Sequence, residues 1–179
     1  MDRRLKTFES TMLPHLDAAY GFARRLMGNA ADAEDVVQEA YLKAFAAFDG
    51  YAGGSARGWI LAIVRNTAFR ALEQSRRLAP VPYEDGLAAL ESACDPSPFS
   101  APDAALAAHD ARAEVEEALA ALPVIYREVL VLRELHDLSY AEIAAVTGTP
   151  VGTVMSRLAR ARSRLTAAII ETGGRAREV

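Results

Sequence analysis

Cysteine occurs once in these 179 residues, as Cys94, and histidine three times, as His15, His109 and His136. One thiol excludes an internal disulfide and leaves no thiol pair for a metal site. The histidines are isolated in sequence, so surface or capping roles are expected for them and for Cys94, in place of metal ligation. A nucleophile–base pair, a Gly-rich phosphate loop and a His/Cys cluster are also missing. No catalytic residue, no metal, no cofactor and no enzymatic activity is therefore expected. No apolar run approaches the ~18 residues that a membrane-spanning helix needs. Met1 to Ser10 lacks the apolar core of a signal peptide. The cytoplasm is the expected compartment, without membrane insertion. Strand signals are scarce as well: the 51% hydrophobic content comes largely as alanine-rich stretches with few β-branched runs, which favours helix.

The net charge of −4 is unevenly spread. Residues 1–78 carry 11 Lys+Arg against 9 Asp+Glu, residues 79–119 carry 1 against 9, and residues 120–179 carry 8 against 6. An acidic middle thus hides two mildly basic ends, and local charge is what a phosphate meets. The middle also holds Pro80, Pro82, Pro96, Pro98 and Pro102 without a sustained helical period, which predicts an extended, exposed connection. It divides the chain into two helical domains, 1–78 and 108–172, joined by a flexible acidic linker, 79–107, and followed by a tail, 173–179. In the free protein the acidic segment is expected to shade the basic faces, through Glu84, Asp85, Glu91 and Asp95.

Leu138 to Leu165 has the form of a helix-turn-helix. Ser139 and Glu142 make a capping box ahead of a helix that buries Ile143 and Val146 and stops at Gly148. A second helix follows at once, with Thr149 as the expected N-cap and Pro150 at the first helical position. At 100° per residue Val151, Val154, Leu158, Ala161 and Leu165 share the inward stripe. Thr153, Ser156, Ala159, Arg160 and Ser163 lie opposite, flanked by Arg157 and Arg164 on one edge and by Met155 and Arg162 on the other. Four arginines and no acid occur between Pro150 and Leu165. Short residues let such a helix approach base edges, and arginines reach guanine edges or phosphates. A solvated basic helix end, suited to the helix dipole, is the plainer alternative.

The first domain reads as three helices and one loop. Phe8 to Met27 carries an amphipathic stripe. Asn29 to Asp32 supplies caps for a helix from Ala33 to Phe48, whose apolar face is Val36, Val37, Ala40, Tyr41, Ala44, Phe45 and Phe48. Its other face offers Glu34, Asp35, Gln38, Glu39 and Lys43, which pattern alone assigns to solvent. A glycine-rich loop, Asp49 to Ser55, follows. The third helix, from Ala56 to Arg77, turns Trp59, Ile60, Ile63, Val64, Ala68, Ala71 and Leu72 inward. Arg57, Arg65, Asn66, Arg70, Arg76 and Arg77 lie elsewhere on it. An aromatic-bearing loop ahead of an arginine-lined helix suits single-stranded or melted nucleic acid, although a core tryptophan beside a solvated basic face gives the same pattern.

Several segments recur here in a known order: Asp32-Ala-Glu-Asp-Val-Val-Gln-Glu-Ala-Tyr-Leu-Lys-Ala-Phe45, Trp59-Ile-Leu-Ala-Ile-Val-Arg-Asn66, Leu122-Pro, Leu138-Ser-Tyr-Ala-Glu-Ile-Ala, and Pro150-Val-Gly-Thr-Val-Met-Ser-Arg-Leu158. Together they make the chain similar to the extracytoplasmic-function (ECF) group of bacterial RNA polymerase sigma factors, which keeps only the second and fourth conserved regions of the larger factors. The resemblance covers most of the chain apart from linker and tail. It implies an all-α fold with a region 2-like domain and a region 4-like helix-turn-helix domain. It also implies binding to core RNA polymerase, at the β′ clamp helices and β flap, with Asp35, Gln38, Glu39 and Lys43 on the clamp side. Tyr51, Arg57, Trp59, Arg65, Asn66 and Arg70 fall on the segment that recognises and opens the promoter −10 element, where a base leaves the stack for a protein pocket. Thr153, Ser156, Arg157, Ala159, Arg160 and Arg162 fall on the helix that reads the −35 element. Ser156, Ala159 and Arg160 are base-facing there, and Arg157 and Arg162 are on phosphate. An anti-sigma factor is the implied regulator. Met155 stands where the family often has a basic residue, which predicts that one −35 contact is either absent or replaced by an apolar touch to a thymine methyl. Ala56 and Gly58 stand where the family commonly has a bulky aromatic and a threonine, in that order, altering the local shape of the −10 pocket.

Two competing functions fit parts of the pattern. A sigma-like decoy that sequesters an anti-sigma factor needs only the partner-binding surfaces and has no reason to keep the arginines at 65, 70, 157, 160, 162 and 164. A dimeric helix-turn-helix regulator explains the second domain but gives no role to Asp32–Phe48 or Trp59–Asn66.

Overall fold

The computed structural model describes residues 2–78 and 106–175, and every regular element among them is helical. Most of the expected linker, with Cys94 and the acids at 84, 85, 91 and 95, lies outside the described residues.

The first half has one helix more than the periodicity predicts. The stripe read as one helix is α1 (Asp2–Met12) and α2 (Leu16–Met27), with a single 3₁₀ turn, Leu13–His15, between them. Pro14 explains the break: its ring displaces the carbonyl four residues back and it has no N–H to continue the ladder. α2 ends at Gly28 in the left-handed conformation, φ 82°. Asn29 then caps α3 (Ala30–Ala47), its side chain accepting from Asp32 N at 2.8 Å. α4 (Ala56–Leu78) follows the glycine-rich loop. Helices α2, α3 and α4 pack on one another around Phe22, Leu26, Val36, Ile60, Leu61 and Val64. Ala19, Ala23, Ala33, Ala40, Ala44 and Ala68, all fully buried, let the backbones come close. Leu61 and Thr67 join the inward residues of α4, whereas Trp59, Ile63, Ala71 and Leu72 are only partly buried.

In the second half α5 (Leu106–Ala120) leads through Pro123 into α6 (Val124–Leu130), every residue of which is buried. A π-helical turn, Val131–Leu135, and a left-handed Asp137, φ 53°, bring the chain to α7 (Tyr140–Thr147). Both halves of the capping box form: Glu142 N donates to Ser139 Oγ at 3.3 Å, and Ser139 N donates to Glu142 Oε2 at 2.8 Å. Gly148, φ 65°, makes the turn. α8 runs Val151–Arg175, into the segment set apart as a tail. Thr153 N and Val154 N both donate to Pro150 O, at 2.9 and 3.1 Å, so the cap position falls on Pro150 and not on Thr149. The Thr149 hydroxyl pairs with that of Thr147 instead, at 2.8 Å. Val154, Leu158 and Ala161 are buried as predicted and Leu165 partly so. Val151, in the first turn, is 43% exposed, ahead of the stretch that packs. Burying a leucine such as Leu158 contributes about 1.5–3 kcal/mol.

The two halves share one apolar core, with α2 against α6 and α4 against α7. This contact accounts for the complete burial of α6. Its apolar side chains meet α8 on one side and the first half on the other.

Candidate nucleic-acid and polymerase interfaces

The helix-turn-helix leaves one face of α8 open. Ser156, Ala159, Arg160, Arg162 and Ser163 are exposed, and Thr153 is partly exposed at the start of the row. Met155 lies beside them, 53% exposed. Ser156 Oγ donates to Thr153 O at 3.0 Å, which holds its hydroxyl close to the helix backbone. The flanking arginines behave differently from one another. Arg162 Nη2 lies 2.9 Å from Glu134 Oε1 with both side chains about half exposed, and that bond raises the guanidinium's already high pKa. Arg164 lies over the Tyr126 ring at 4.9 Å. Arg157 leaves the exposed row altogether: its side chain is 14% exposed and Nη1 sits 3.6 Å from Glu128 Oε1 on α6.

The loop before α4 is held by aromatic contacts. Tyr51 stacks on Phe48 at 6.0 Å and leans on Trp59 at 5.2 Å, while its hydroxyl donates to Gly54 O at 2.8 Å. Gly53 and Gly54 take φ values of 90° and 91°, so glycine is what lets the loop fold back over Tyr51. Ser55 Oγ accepts from Gly58 N at 3.0 Å, and Ser55 O accepts from Trp59 N at 2.9 Å, starting α4. Trp59 is thus neither core nor fully exposed: one face packs on the loop.

The polar residues of α4 divide into two sets. Asn66 and Arg70 are exposed. Arg57 and Arg65 turn toward the second half. Arg65 Nε and Nη2 donate to the two carboxylate oxygens of Glu128 at 2.7 and 3.3 Å, and the guanidinium carbon lies 4.3 Å from the Phe69 ring centre. Glu128 is fully buried; burial pushes its carboxyl above the ordinary range, while Arg65 and Arg157 pull it back. Arg57 Nη2 lies 2.9 Å from His136 Nδ1. A guanidinium only donates, so Nδ1 accepts and the histidine proton sits on Nε2. His136 is buried, not on the surface, with Phe22 edge-on at 5.9 Å, and its backbone N–H closes the π turn on Val131 O. Burial first, then the charges of Arg57 and Arg25, lower its pKa to about 4. Arg25 Nη2 pairs with Glu116 at 2.6 Å, and Arg127 Nη1 donates to Arg25 O at 2.8 Å.

On α3, Glu34, Asp35, Gln38 and Glu39 form an exposed row. Lys43 bonds Glu39 at 2.5 Å and reaches back to the Thr67 hydroxyl at 3.4 Å. Sequence reasoning overlooked Leu42, which lies in the same row and is 67% exposed. Its position three and four residues after Glu39 and Gln38 was the available signal. It overlooked Glu128 as well, although Arg127 and Glu128 inside the apolar run Leu122 to Leu132 mark buried polar side chains that need partners elsewhere in the chain. Among the described residues no group of three His, Cys, Asp or Glu side chains is placed to hold a metal. No described helix is long and apolar enough to cross a membrane.

Comparison with known proteins agrees with this geometry. Residues 12–78 match the Sigma-70 region 2 family and residues 112–165 the Sigma-70, region 4 family. The ECF RNA polymerase sigma-E factor of Escherichia coli strain K12 is 39% identical over 137 residues, covering 75% of this chain and 72% of that protein. The ECF RNA polymerase sigma factor SigE of Mycolicibacterium smegmatis is 34% identical over 163 residues, 90% of this chain. The match spans 61% of the length of that mycobacterial relative. Among solved structures, the sigma factor RpoE of Bartonella quintana, crystallised with the anti-sigma factor NepR, superposes with a TM-score of 0.70 at 29% identity. That match covers 92% of this chain and 97% of the other.

Proposed function

Because this chain belongs to the ECF RNA polymerase sigma factors, we propose that it binds core RNA polymerase and directs it to promoters by reading a −35 element with α8 and opening a −10 element with α4 and its preceding loop. The observation that carries this reading is the α8 face. Short side chains at 153, 156 and 159 leave room beside the exposed Arg160, over a buried stripe that fixes the helix on its domain. Such a helix fits a major groove, with arginine able to make a bidentate contact to guanine. The reading puts Thr153, Ser156, Ala159 and Arg160 toward bases and Arg162 toward phosphate. Arg157 joins them only if it leaves Glu128.

Tyr51, Trp59, Asn66 and Arg70 supply the −10 segment, joined by Arg57 and Arg65 once these are uncovered. The exposed row Asp35, Gln38, Glu39 and Leu42, with Lys43 at its edge, serves as the polymerase surface, Leu42 adding an apolar anchor among polar neighbours. Residues 1–78 and 108–172 act as separate promoter-reading domains joined by 79–107, in the cytoplasm. An anti-sigma factor controls the chain, as the RpoE–NepR complex suggests for a protein of the same fold. The reading gives the chain no catalytic step; RNA synthesis belongs to the polymerase.

Run-off transcription from a promoter library, with core polymerase in the presence and absence of the protein, tests this. Transcripts that require the protein and vanish with Arg160→Ala are the expected result and reveal both promoter elements together. Binding to core polymerase without any transcript would establish the sigma-like decoy in its place.

A further inference from the structure

The two DNA-reading halves meet through the very side chains that the −10 face would use. Arg65 is 17% exposed, and two donors of its guanidinium fork are taken by one fully buried carboxylate, that of Glu128. A third, Nη1, donates to Asn66 Oδ1 at 3.3 Å, and the Phe69 ring lies against the guanidinium's face. Arg57 is turned to His136 on the same interface. Glu128 also holds Arg157, on the helix proposed for the −35 element, at 3.6 Å. A guanidinium grips carboxylate and phosphate with the same two-pronged geometry. A DNA phosphate would have to compete with this carboxylate for the same fork.

We propose that Glu128 is an internal phosphate mimic: in the packed chain it fills the Arg65 fork, and the −10 face stays closed to nucleic acid until the two halves separate. The inference rests on the −10 assignment of Arg65 made above. It adds that the second half of the chain is itself a competitor for that face. Arg25–Glu116 and Arg127 to Arg25 O close the same interface at its other side, through residues with no proposed contact to DNA. A binding-competent form populated only in part lowers apparent affinity by that fraction.

The test uses the whole chain and two variants, Glu128→Gln and Arg25→Ala. Small-angle X-ray scattering reads the separation of the halves. Fluorescence anisotropy reads binding of a fluorescein-labelled, random-sequence single-stranded 12-mer. Arg25→Ala is the decisive variant, because losing a positive charge weakens non-specific DNA binding unless the latch opens. The expected result is a larger radius of gyration and tighter 12-mer binding in both variants, by about tenfold if the open form is about a tenth of the population. An unchanged radius in Arg25→Ala, or an expanded Arg25→Ala chain that binds no tighter, overturns the proposal. If Glu128→Gln fails to fold, the Arg25→Ala result decides alone. Run-off transcription by the unaltered chain fails only if the sigma reading itself is wrong, so the two failures are distinguishable.

Discussion

Arg160 on α8 and Arg65 on α4 carry the same guanidinium, yet one stands exposed and the other is clamped on a buried carboxylate. The difference does not come from their own helices. Both lie on amphipathic helices whose buried stripes are regular. It comes from what is packed opposite. α8 turns its polar face away from the body of the protein, whereas α4 faces α7 and the buried α6, where a carboxylate is fixed in the apolar core. A basic face is thus a binding surface only if the rest of the chain leaves it open. In this fold the face proposed to read the duplex is open, and the face proposed to open the strands is half covered.

The largest test of the comparison removes the wall between the halves. Phe22 is fully buried and packs edge-on against His136 across the interface. Phe22→Ala is expected to cost about 3–5 kcal/mol in urea denaturation. It should also split one unfolding transition into two, because the halves lose their shared core. A single transition shifted by less than about 1 kcal/mol would mean that the halves are not energetically joined.

A smaller effect follows from pH. His136 is neutral in the packed chain, with its pKa lowered from 6.5 to about 4, and Arg57 and Arg25 face it while Asp137 opposes them. A separated chain takes up a proton that the packed chain refuses. The packed form's advantage is therefore complete above about pH 6.5 and is lost progressively as pH falls toward 4. Glu128, raised by burial, works in the opposite sense as the medium becomes acidic. Scattering measured from pH 7 to 5 on the unaltered chain and on His136→Gln separates the two. Expansion at the acidic end should appear in the first and be weaker in the second.

Much of the architecture was legible because it is local. The Ser139–Glu142 box, the Gly148 turn and the stripe of Val154, Leu158 and Ala161 depend on neighbours within two turns, and all of them form. The α1–α2 break was missed because the apolar spacing runs on through Pro14, and backbone chemistry prevailed over periodicity. Thr149 looked like an N-cap by residue type, but the carbonyl that receives the first helical bonds is that of Pro150. What sequence could not give is the long-range pairing. Arg65 and Glu128 stand 63 positions apart, and Arg57 and His136 stand 79 apart. Nothing in the local pattern distinguishes an arginine bound for DNA from one bound for its own chain.

A third test compares the faces directly. Arg160→Ala is expected to weaken binding to a duplex carrying the −35 sequence found by run-off transcription by about 1–3 kcal/mol, relaxing preference at one base pair. Arg65→Ala in the free chain should not weaken duplex binding, since its guanidinium is already occupied by Glu128. Fluorescence anisotropy on the same duplex checks both. Equal losses from the two substitutions would mean that the α4 face is as open in solution as that of α8.

The smallest effect lies at the edge of the open face. Arg162 and Glu134 are 2.9 Å apart and both about half exposed, a pair that contributes about 0.2–1 kcal/mol to stability at most. Such a partner is easily exchanged for a phosphate, unlike the buried carboxylate that holds Arg65. Arg162→Ala should therefore leave the denaturation midpoint nearly unmoved. Binding to the −35 duplex should weaken across all sequences alike, with the slope of log affinity against log salt falling by about 0.9, the value of one phosphate contact. Glu134→Gln should keep the slope and raise affinity slightly, by releasing Arg162 in advance. An unchanged slope in Arg162→Ala would return Arg162 to a purely surface role and narrow the open face to the row from Thr153 to Arg160.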